Sequence, residues 1–246
     1  MEGDRLLKKS KRVSKAIQIL FTGQALEQKI AKANYPKLVI DAVPFIETTC
    51  ITAPEIIDEL TNLASQEAFV VITSQVAVDW LSKNIHSIPN WVIACMQGQT
   101  QEALIKMGWG TLVKFTAADS HALAEKIIST IPTTTPVYFL AGNQRLTTIP
   151  QYLHQNGFKV KETIVYTTTA KKQQLNKQYA GIVFLSPSAV NSFFDQYRIQ
   201  KDTVLFAIGA TTAAAIQNRC ENEIVLSKQV NQESLFTSIN NYYQII

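Results

Sequence analysis

The chain has 246 residues, 46% of them hydrophobic, and 23 basic against 19 acidic side chains leave a formal net charge of +4. That length fits one large or two ordinary domains, and the apolar runs fall short of the roughly 20 residues that a membrane-spanning helix needs, which excludes that class. The charge excess sits in residues 1–15, where Arg5, Lys8, Lys9, Lys11, Arg12 and Lys15 stand against Glu2 and Asp4, so the rest is neutral and offers no basic surface for nucleic acid.

Residues 1–15 read as a disordered basic tail with no apolar signal core behind it. Residues 16–21 then read as a buried strand, Thr22-Gly23 as a tight turn, and 24–33 as a helix with Ala25, Leu26, Ile30 and Ala33 on one face. A strand over 37–44 follows, but Pro44 and the unalternating run VPFIETT suit an edge or crossing segment, where the chain leaves its first domain. Thr52-Ala53-Pro54-Glu55 reads as a capping box, with Thr52 at the N-cap of a helix over 53–63.

Strands at 69–73, 91–95, 111–115, 136–141 and 158–167 then alternate with helices at 76–84, 99–107, 120–130 and 148–156. After a lysine-containing polar stretch, further strands are expected at 181–185, 204–208 and 223–226. Alternation at these lengths calls for parallel sheets covered on both faces, an α/β fold.

A gapless shift of 112 positions lays residues 69–127 over 181–239, matching Ser74 with Ser186, Ala77 with Ala189, Thr100 with Thr212 and Leu123 with Leu235. A period this long, present twice, is a duplicated αβ domain and not a solenoid. The block over 47–160 has four or more strands and 181–246 only three, an imbalance repaired if the N-terminal strands join the C-terminal block. The expected domains are therefore 1–42 with 170–246, and 48–163. Segments 43–47 and 164–169 would cross side by side as a two-stranded ladder, with a cleft between the domains.

Each copy places hydroxyls where a strand gives way to a helix. Ser186 can cap the helix after 182–185, with Pro187 at its first position, and Thr73-Ser74 and Thr211-Thr212 hold similar places. Backbone N–H groups at such helix starts attract anions. Cys50, Cys95 and Cys220 form neither a disulfide framework nor a metal-ligand pattern, which points to the cytoplasm, and His86, His121 and His154 lack ligand spacing.

The segments FVVITSQVAV, VYFLAGNQR followed by YLHQNGFKVKETIVYTTT, IVFLSPSAVNSFF and FAIGATTAAAI, in that order, resemble the uroporphyrinogen-III synthase family over nearly the whole chain. The resemblance implies a lyase of tetrapyrrole biosynthesis, without metal or cofactor, acting as a monomer that binds neither nucleic acid nor membrane. Its substrate would be hydroxymethylbilane, a polycarboxylate, which loses water and closes to uroporphyrinogen III after inversion of ring D. Tyr166 matches the family's cleft tyrosine and is the expected catalytic residue. Thr73, Ser74, Gln75, Gly142, Arg145, Ser186, Pro187, Ser188, Gly209, Thr211 and Thr212 would grip the substrate.

Two departures stand out: Phe21-Thr22-Gly23-Gln24 lacks the arginine that the family has after its first strand, and the glycine of the inserted domain's second turn is displaced to Gly98. On the residues alone, a two-domain binding or sensor protein with its ligand at the same strand ends stays open. A nucleotide-dependent enzyme has no glycine-rich phosphate motif to rest on.

Overall fold

The computed structural model describes residues 16–23 and 37–244; the expected tail over 1–15 and helix over 24–33 lie outside them. Eleven strands among the described residues form two sheets. The first contains β1 (Ile17–Phe21), β2 (Leu38–Ala42), β9 (Gly181–Phe184), β10 (Val204–Ala207) and β11 (Ile224–Leu226), in the order β11-β10-β9-β1-β2. The second contains β3 (Ile46–Cys50), β4 (Ala68–Ile72), β5 (Trp91–Met96), β6 (Val113–Ala117), β7 (Val137–Gly142) and β8 (Val160–Ala170), in the order β3-β8-β7-β4-β5-β6. The chain divides into two compact units, Met1–Ile46 with Ala170–Ile246, and Glu47–Thr169.

The helices are α1 (Pro54–Ala64), α2 (Gln75–Asn84), α3 (Gln99–Lys106), α4 (Ser120–Thr130), α5 (Thr148–Gln155), α6 (Pro187–Phe194), α7 (Ala210–Gln217) and α8 (Gln232–Tyr243). Central strands such as β4 (AFVVI) and β10 (VLFA) are apolar throughout because both faces of a parallel sheet are covered. Side chains alternate across the strand, so Val70 and Ile72 pack with Leu60, Trp80, Leu81 and Leu104 of α1, α2 and α3. Phe69 and Val71 face the other way, against Leu123 and Ile127 of α4 and Ile149 and Leu153 of α5. In the other unit, Val183 and Phe206 pack on Leu235, Phe236 and Ile239 of α8, while Ile182, Phe184 and Leu205 meet Val190, Phe193 and Ile216 of α6 and α7.

Two local expectations are corrected. The residue at the N-cap of α1 is Ala53, in extended conformation with no side-chain cap, because Pro54 takes the first helical position and forces an extended residue before it. Thr52 is thus one residue too early for a capping box. Nor are residues 43–45 a strand: β2 ends at Ala42 and β3 starts at Ile46, since Pro44 has no N–H to give a ladder. Phe45 plugs this break, fully buried with its ring edge-on to Phe193 at 5.1 Å. Its carbonyl accepts hydrogen bonds from the Ser192 hydroxyl at 2.5 Å and the Lys171 N–H at 2.8 Å.

The β1–β2, β1–β9, β9–β10, β10–β11, β4–β5, β4–β7, β5–β6 and β7–β8 pairings are parallel. Beside β8, the edge strand β3 shows a different pattern. Contacts run from Phe45 O to Lys171 N, from Thr48 to Thr168 through their hydroxyls (3.3 Å), and from Ile51 N to Val165 O (2.9 Å). Residue numbers rise on one side as they fall on the other, the register of an antiparallel pair.

Shifting β4, α2, β5, α3, β6 and α4 by 112 residues brings them to overlap β9, α6, β10, α7, β11 and α8, in the same order. The caps follow the same shift: Ser74 and Ser186, like Asp119 and Asn231, each accept a backbone N–H in the first turn of their helix. For α7 the cap is Gly209, and Thr211 and Thr212 fall inside the helix, so neither threonine caps it.

Ser186→Ala and Ser74→Ala should each cost about 1 kcal/mol of stability. Thr211→Ala should cost nothing measurable, because Thr211 is exposed and Ala is the better helix former. Urea unfolding midpoints of the three variants check the contrast.

Candidate functional site

Parallel strands end at a common edge, and the helices that follow them begin there, so the carboxyl ends of the strands collect helix N-termini. In the second unit β4 ends at Ile72, half-buried Thr73 follows, and Ser74 caps α2 by accepting the Val76 N–H at 3.1 Å. Gln75, the first residue of α2, is exposed. β7 lies beside β4 with Leu140 opposite Ile72, which brings its last residue, Gly142, to the same edge.

β8 runs beside β7 and past its end. The register shifts between Ala141, which pairs with Ile164, and Gly142, which pairs with Tyr166, so β8 carries one extra residue there. Such a bulge re-aims the side chain that follows it. The half-buried Tyr166 ring packs beside the layer containing Leu140 and Val165 and lies over Gly142. A methyl group on residue 142 would overlap that ring and stand 2.8 Å from its hydroxyl oxygen, so glycine is required by the approach of the tyrosine. The Tyr166 hydroxyl makes no hydrogen bond to another described residue.

Asn143 holds β8 where β7 ends. Its backbone N–H donates to the Tyr166 carbonyl at 3.2 Å. Its side-chain Oδ1 accepts the Thr168 N–H at 2.7 Å, and its Nδ2 donates to the Thr168 carbonyl at 3.3 Å, which Gln144 Nε2 also reaches at 2.9 Å. Sequence reasoning passed over Asn143; the signal was an Asn directly after a strand-ending glycine, where a side-chain amide can stand in for a peptide.

Arg145 was expected to face the substrate. Its Nε donates to Glu162 Oε2, with both side chains 27% exposed, and Glu162 lies four residues before Tyr166 on β8. The guanidinium charge is therefore balanced within the protein through Nε, while its Nη1 and Nη2 groups bond to no described residue and keep their donors for a further carboxylate.

In the first unit, β9 and β10 lie side by side in register, with Phe184 opposite Ala207. Ser186 caps α6 by accepting the Ala189 N–H at 3.2 Å, Pro187 takes the first helical position, and Ser188 is half-buried behind it. Gly209 starts α7 with no side-chain cap, leaving the first-turn N–H groups of the helix without a side-chain acceptor. Thr211 is exposed there, whereas Thr212 is buried to 2% exposure. The structure thus gathers the expected residues into two groups: Thr73, Ser74, Gln75, Gly142 and Tyr166 in one unit, and Ser186, Pro187, Ser188, Gly209, Thr211 and Thr212 in the other.

The start of the helix expected over 99–107 was not among the expected substrate-binding positions. Gly98 begins α3 with φ +81°, a conformation that favours glycine, and leaves another uncapped first turn, with Thr100 buried as Thr212 is. The 112-residue shift carries Thr100 onto Thr212 and was the available signal.

Among the described residues, no strong nucleophile or metal cluster adjoins these groups. Burial pushes the Cys95 thiol up to about 11, which keeps it protonated at neutral pH. His121 is engaged with the Tyr152 hydroxyl at 2.6 Å. Among the described residues, no group of three His, Cys, Asp or Glu side chains could hold a metal ion. A cavity of about 170 Å³ lined by Tyr179, Phe193, Tyr197 and Thr203 lies where β9 and β10 begin, at the opposite end of those strands. What the strand ends supply is a phenol and rows of N–H and hydroxyl donors, suited to holding a polyanion.

A family model described as uroporphyrinogen-III synthase HemD matches residues 27–237. Among solved structures, the uroporphyrinogen-III synthetase of Helicobacter pylori aligns at a TM-score of 0.64 and 16% identity, over 92% of this chain and 99% of that one. A mutant uroporphyrinogen III synthase of Thermus thermophilus aligns at 0.68 and 16% identity, over 94% and 98%. The wild-type enzyme of the same organism, in another crystal form, aligns at 0.53 and 13% identity, over 94% and 98%. At these identities the structural likeness concerns the fold. A search of curated proteins finds no match.

Gly142→Ala should lower stability by about 1–3 kcal/mol by overpacking against the Tyr166 ring. In a Tyr166→Ala background the same change should cost far less. Unfolding of the two single variants, the double variant and the parent measures the coupling; independent, additive losses would contradict the contact.

Proposed function

The chain belongs to the uroporphyrinogen-III synthase family, and from that membership we propose that Tyr166 assists loss of water from the substrate while the helix starts of both units hold its carboxylates. The function is that of the family: a cyclising lyase of tetrapyrrole biosynthesis that converts hydroxymethylbilane to uroporphyrinogen III. A non-catalytic binding or sensor protein is not the favoured reading.

The single observation that carries the proposal is the placement of Tyr166. A bulge turns it onto Gly142 at the carboxyl edge of the sheet, with a hydroxyl that no described residue engages. In the proposed reaction this hydroxyl hydrogen-bonds to the oxygen of the terminal hydroxymethyl group. As the adjacent pyrrole pushes electrons toward that carbon, the C–O bond breaks and the oxygen takes the Tyr166 proton to leave as water. The phenol regains a proton when ring closure releases one from the attacking pyrrole carbon. Ring D is then inverted through a spiro intermediate before the macrocycle closes.

The free bilane closes unaided to the symmetric type I isomer, so the protein selects a geometry more than it lowers a high barrier. Hydroxyls and N–H groups that bind and orient suffice for that. We assign the grip on the carboxylates to Ser186, Pro187, Ser188, Gly209, Thr211 and Thr212 in one unit and to Thr73, Ser74, Gln75 and Gly142 in the other. A helix start with an uncapped first turn, as at Gly209, attracts such anions. Arg145 joins them through the Nη groups that Glu162 does not engage. We also propose a cofactor-independent cytoplasmic monomer, in keeping with a polycarboxylate substrate that does not cross membranes unaided.

The architecture carries proposals of its own. We take the two units to be copies of one αβ unit, supported by the overlap of six successive elements under a single shift. We take residues 1–42 with 170–246, and 48–163, as the domains, and segments 43–47 and 164–169 as the side-by-side crossings that carry the chain between them, supported by the antiparallel contacts from Phe45 to Lys171 and from Thr48 to Thr168. Limited proteolysis should then release a stable fragment close to 48–163. A stable fragment that retains the N-terminus and ends near residue 130 would rule the arrangement out.

Tyr166→Phe should slow uroporphyrinogen III formation by about 100- to 10,000-fold, the range for loss of a general acid, without lowering the unfolding temperature. Thr211→Ala should matter far less, because its backbone N–H remains. The measurement is incubation of purified protein with fresh hydroxymethylbilane and separation of the oxidised products by isomer. Parent protein that yields only type I, as buffer does, would sink the assignment.

A further inference from the structure

Tyr166 sits at a point where an ordinary β-ladder has ended. β7 stops at Gly142, yet β8 continues to Ala170, so beyond Tyr166 it has no strand on its β7 side. A bulged strand that loses its neighbour on one side is less restrained there, and a ring at that point has more freedom to swing.

The gap is filled by one side chain. A carboxamide presents a donor and an acceptor in one plane, as a peptide does, so an asparagine can extend a ladder by one step. Asn143 does so with both atoms of its amide on the peptide groups of Thr168, while its own N–H takes the Tyr166 carbonyl. On the other side Thr168 meets Thr48 of β3. Residues 166 and 168 are therefore pinned from the loop after β7, and residue 167 between them has little room to turn.

Building on the catalytic reading of Tyr166 given above, we propose that Asn143 is a positioning residue for the reaction, extending β7 beyond its end to hold the Tyr166 hydroxyl where the leaving oxygen must be. Asn143 need not touch substrate; it acts through the backbone on either side of Thr167. Gln144 shares only the carbonyl of Thr168 and is the lesser partner.

The test labels the protein with 3-fluorotyrosine and assigns the Tyr166 fluorine resonance by its absence in Tyr166→Phe. In Asn143→Ala that resonance should shift or broaden, kcat should fall about 10- to 100-fold, as a misplacement on the order of 1 Å can cost, and KM should hardly change. The product should contain more type I isomer, since the slowed reaction competes with spontaneous closure. Asn143→Asp keeps the acceptor for the Thr168 N–H and should fall between Asn143→Ala and the parent; it carries the same comparisons if Asn143→Ala does not fold. In a Tyr166→Phe background, Asn143→Ala should bring little further loss.

An unmoved Tyr166 resonance in a folded Asn143 variant would overturn the proposal. So would a loss repeated in full in the Tyr166→Phe background, or a rise in KM at unchanged kcat, which would put Asn143 on the substrate itself. Full activity of Tyr166→Phe would instead sink the catalytic reading, and the fluorine resonance would still decide whether Asn143 holds the ring.

Discussion

Parallel pairing is the constraint from which the rest of this structure follows. A parallel strand cannot return by a hairpin; it needs a crossover, and the crossover is a helix laid on one face of the sheet. With both faces covered, strands such as Phe69–Ile72 and Ile182–Phe184 become solid apolar runs, sorted by alternation into two core layers per sheet. Because the strands point one way, α2, α3, α6 and α7 all start at the carboxyl edge of their sheet. Polar residues are left to that edge by default, and there the first-turn N–H groups find no intrahelical partner.

The strand pair β3 and β8 breaks this pattern, and the break is where the proposed catalytic tyrosine lies. β8 is parallel to β7 on one side while its contacts to β3 run antiparallel. It therefore passes the edge at which its neighbour stops. The overhang begins directly after Tyr166, which therefore sits at the rim of the packed interior and not on a loose loop. Three features specify its position: the bulge opposite Ala141 and Gly142, the absent Cβ at Gly142, and the Asn143 amide on Thr168.

The composition of the two groups suits a reaction whose product is decided by geometry. A reactive thiol or a metal would add power to a substrate that already closes unaided, and would do nothing to choose between isomers. Cys95 is held as a neutral thiol inside β5, and Arg145 is held by Glu162. Binding a polycarboxylate through N–H dipoles and hydroxyls spreads its charge over many weak contacts.

Much was legible in the sequence because it follows from short-range rules. Apolar runs of strand length between amphipathic stretches meant parallel α/β sheets, and Ser186 before Pro187 meant a capped helix start, as the Ala189 N–H bond shows. The shift of 112 was visible because equivalent elements kept their spacing. Local rules failed where one residue overrode another: Pro54 moved the start of α1 off Thr52, and Gly209 took the cap of α7 from Thr211 and Thr212. The pairing of Arg145 with Glu162, the bulge opposite Gly142 and the reach of Asn143 to Thr168 each join positions 17 or more residues apart. Composition and periodicity therefore determined the elements and their class. Which side chains face one another at the strand ends was decided only when the sheet register brought distant strands together, since register is a property of the pairing and not of either strand alone.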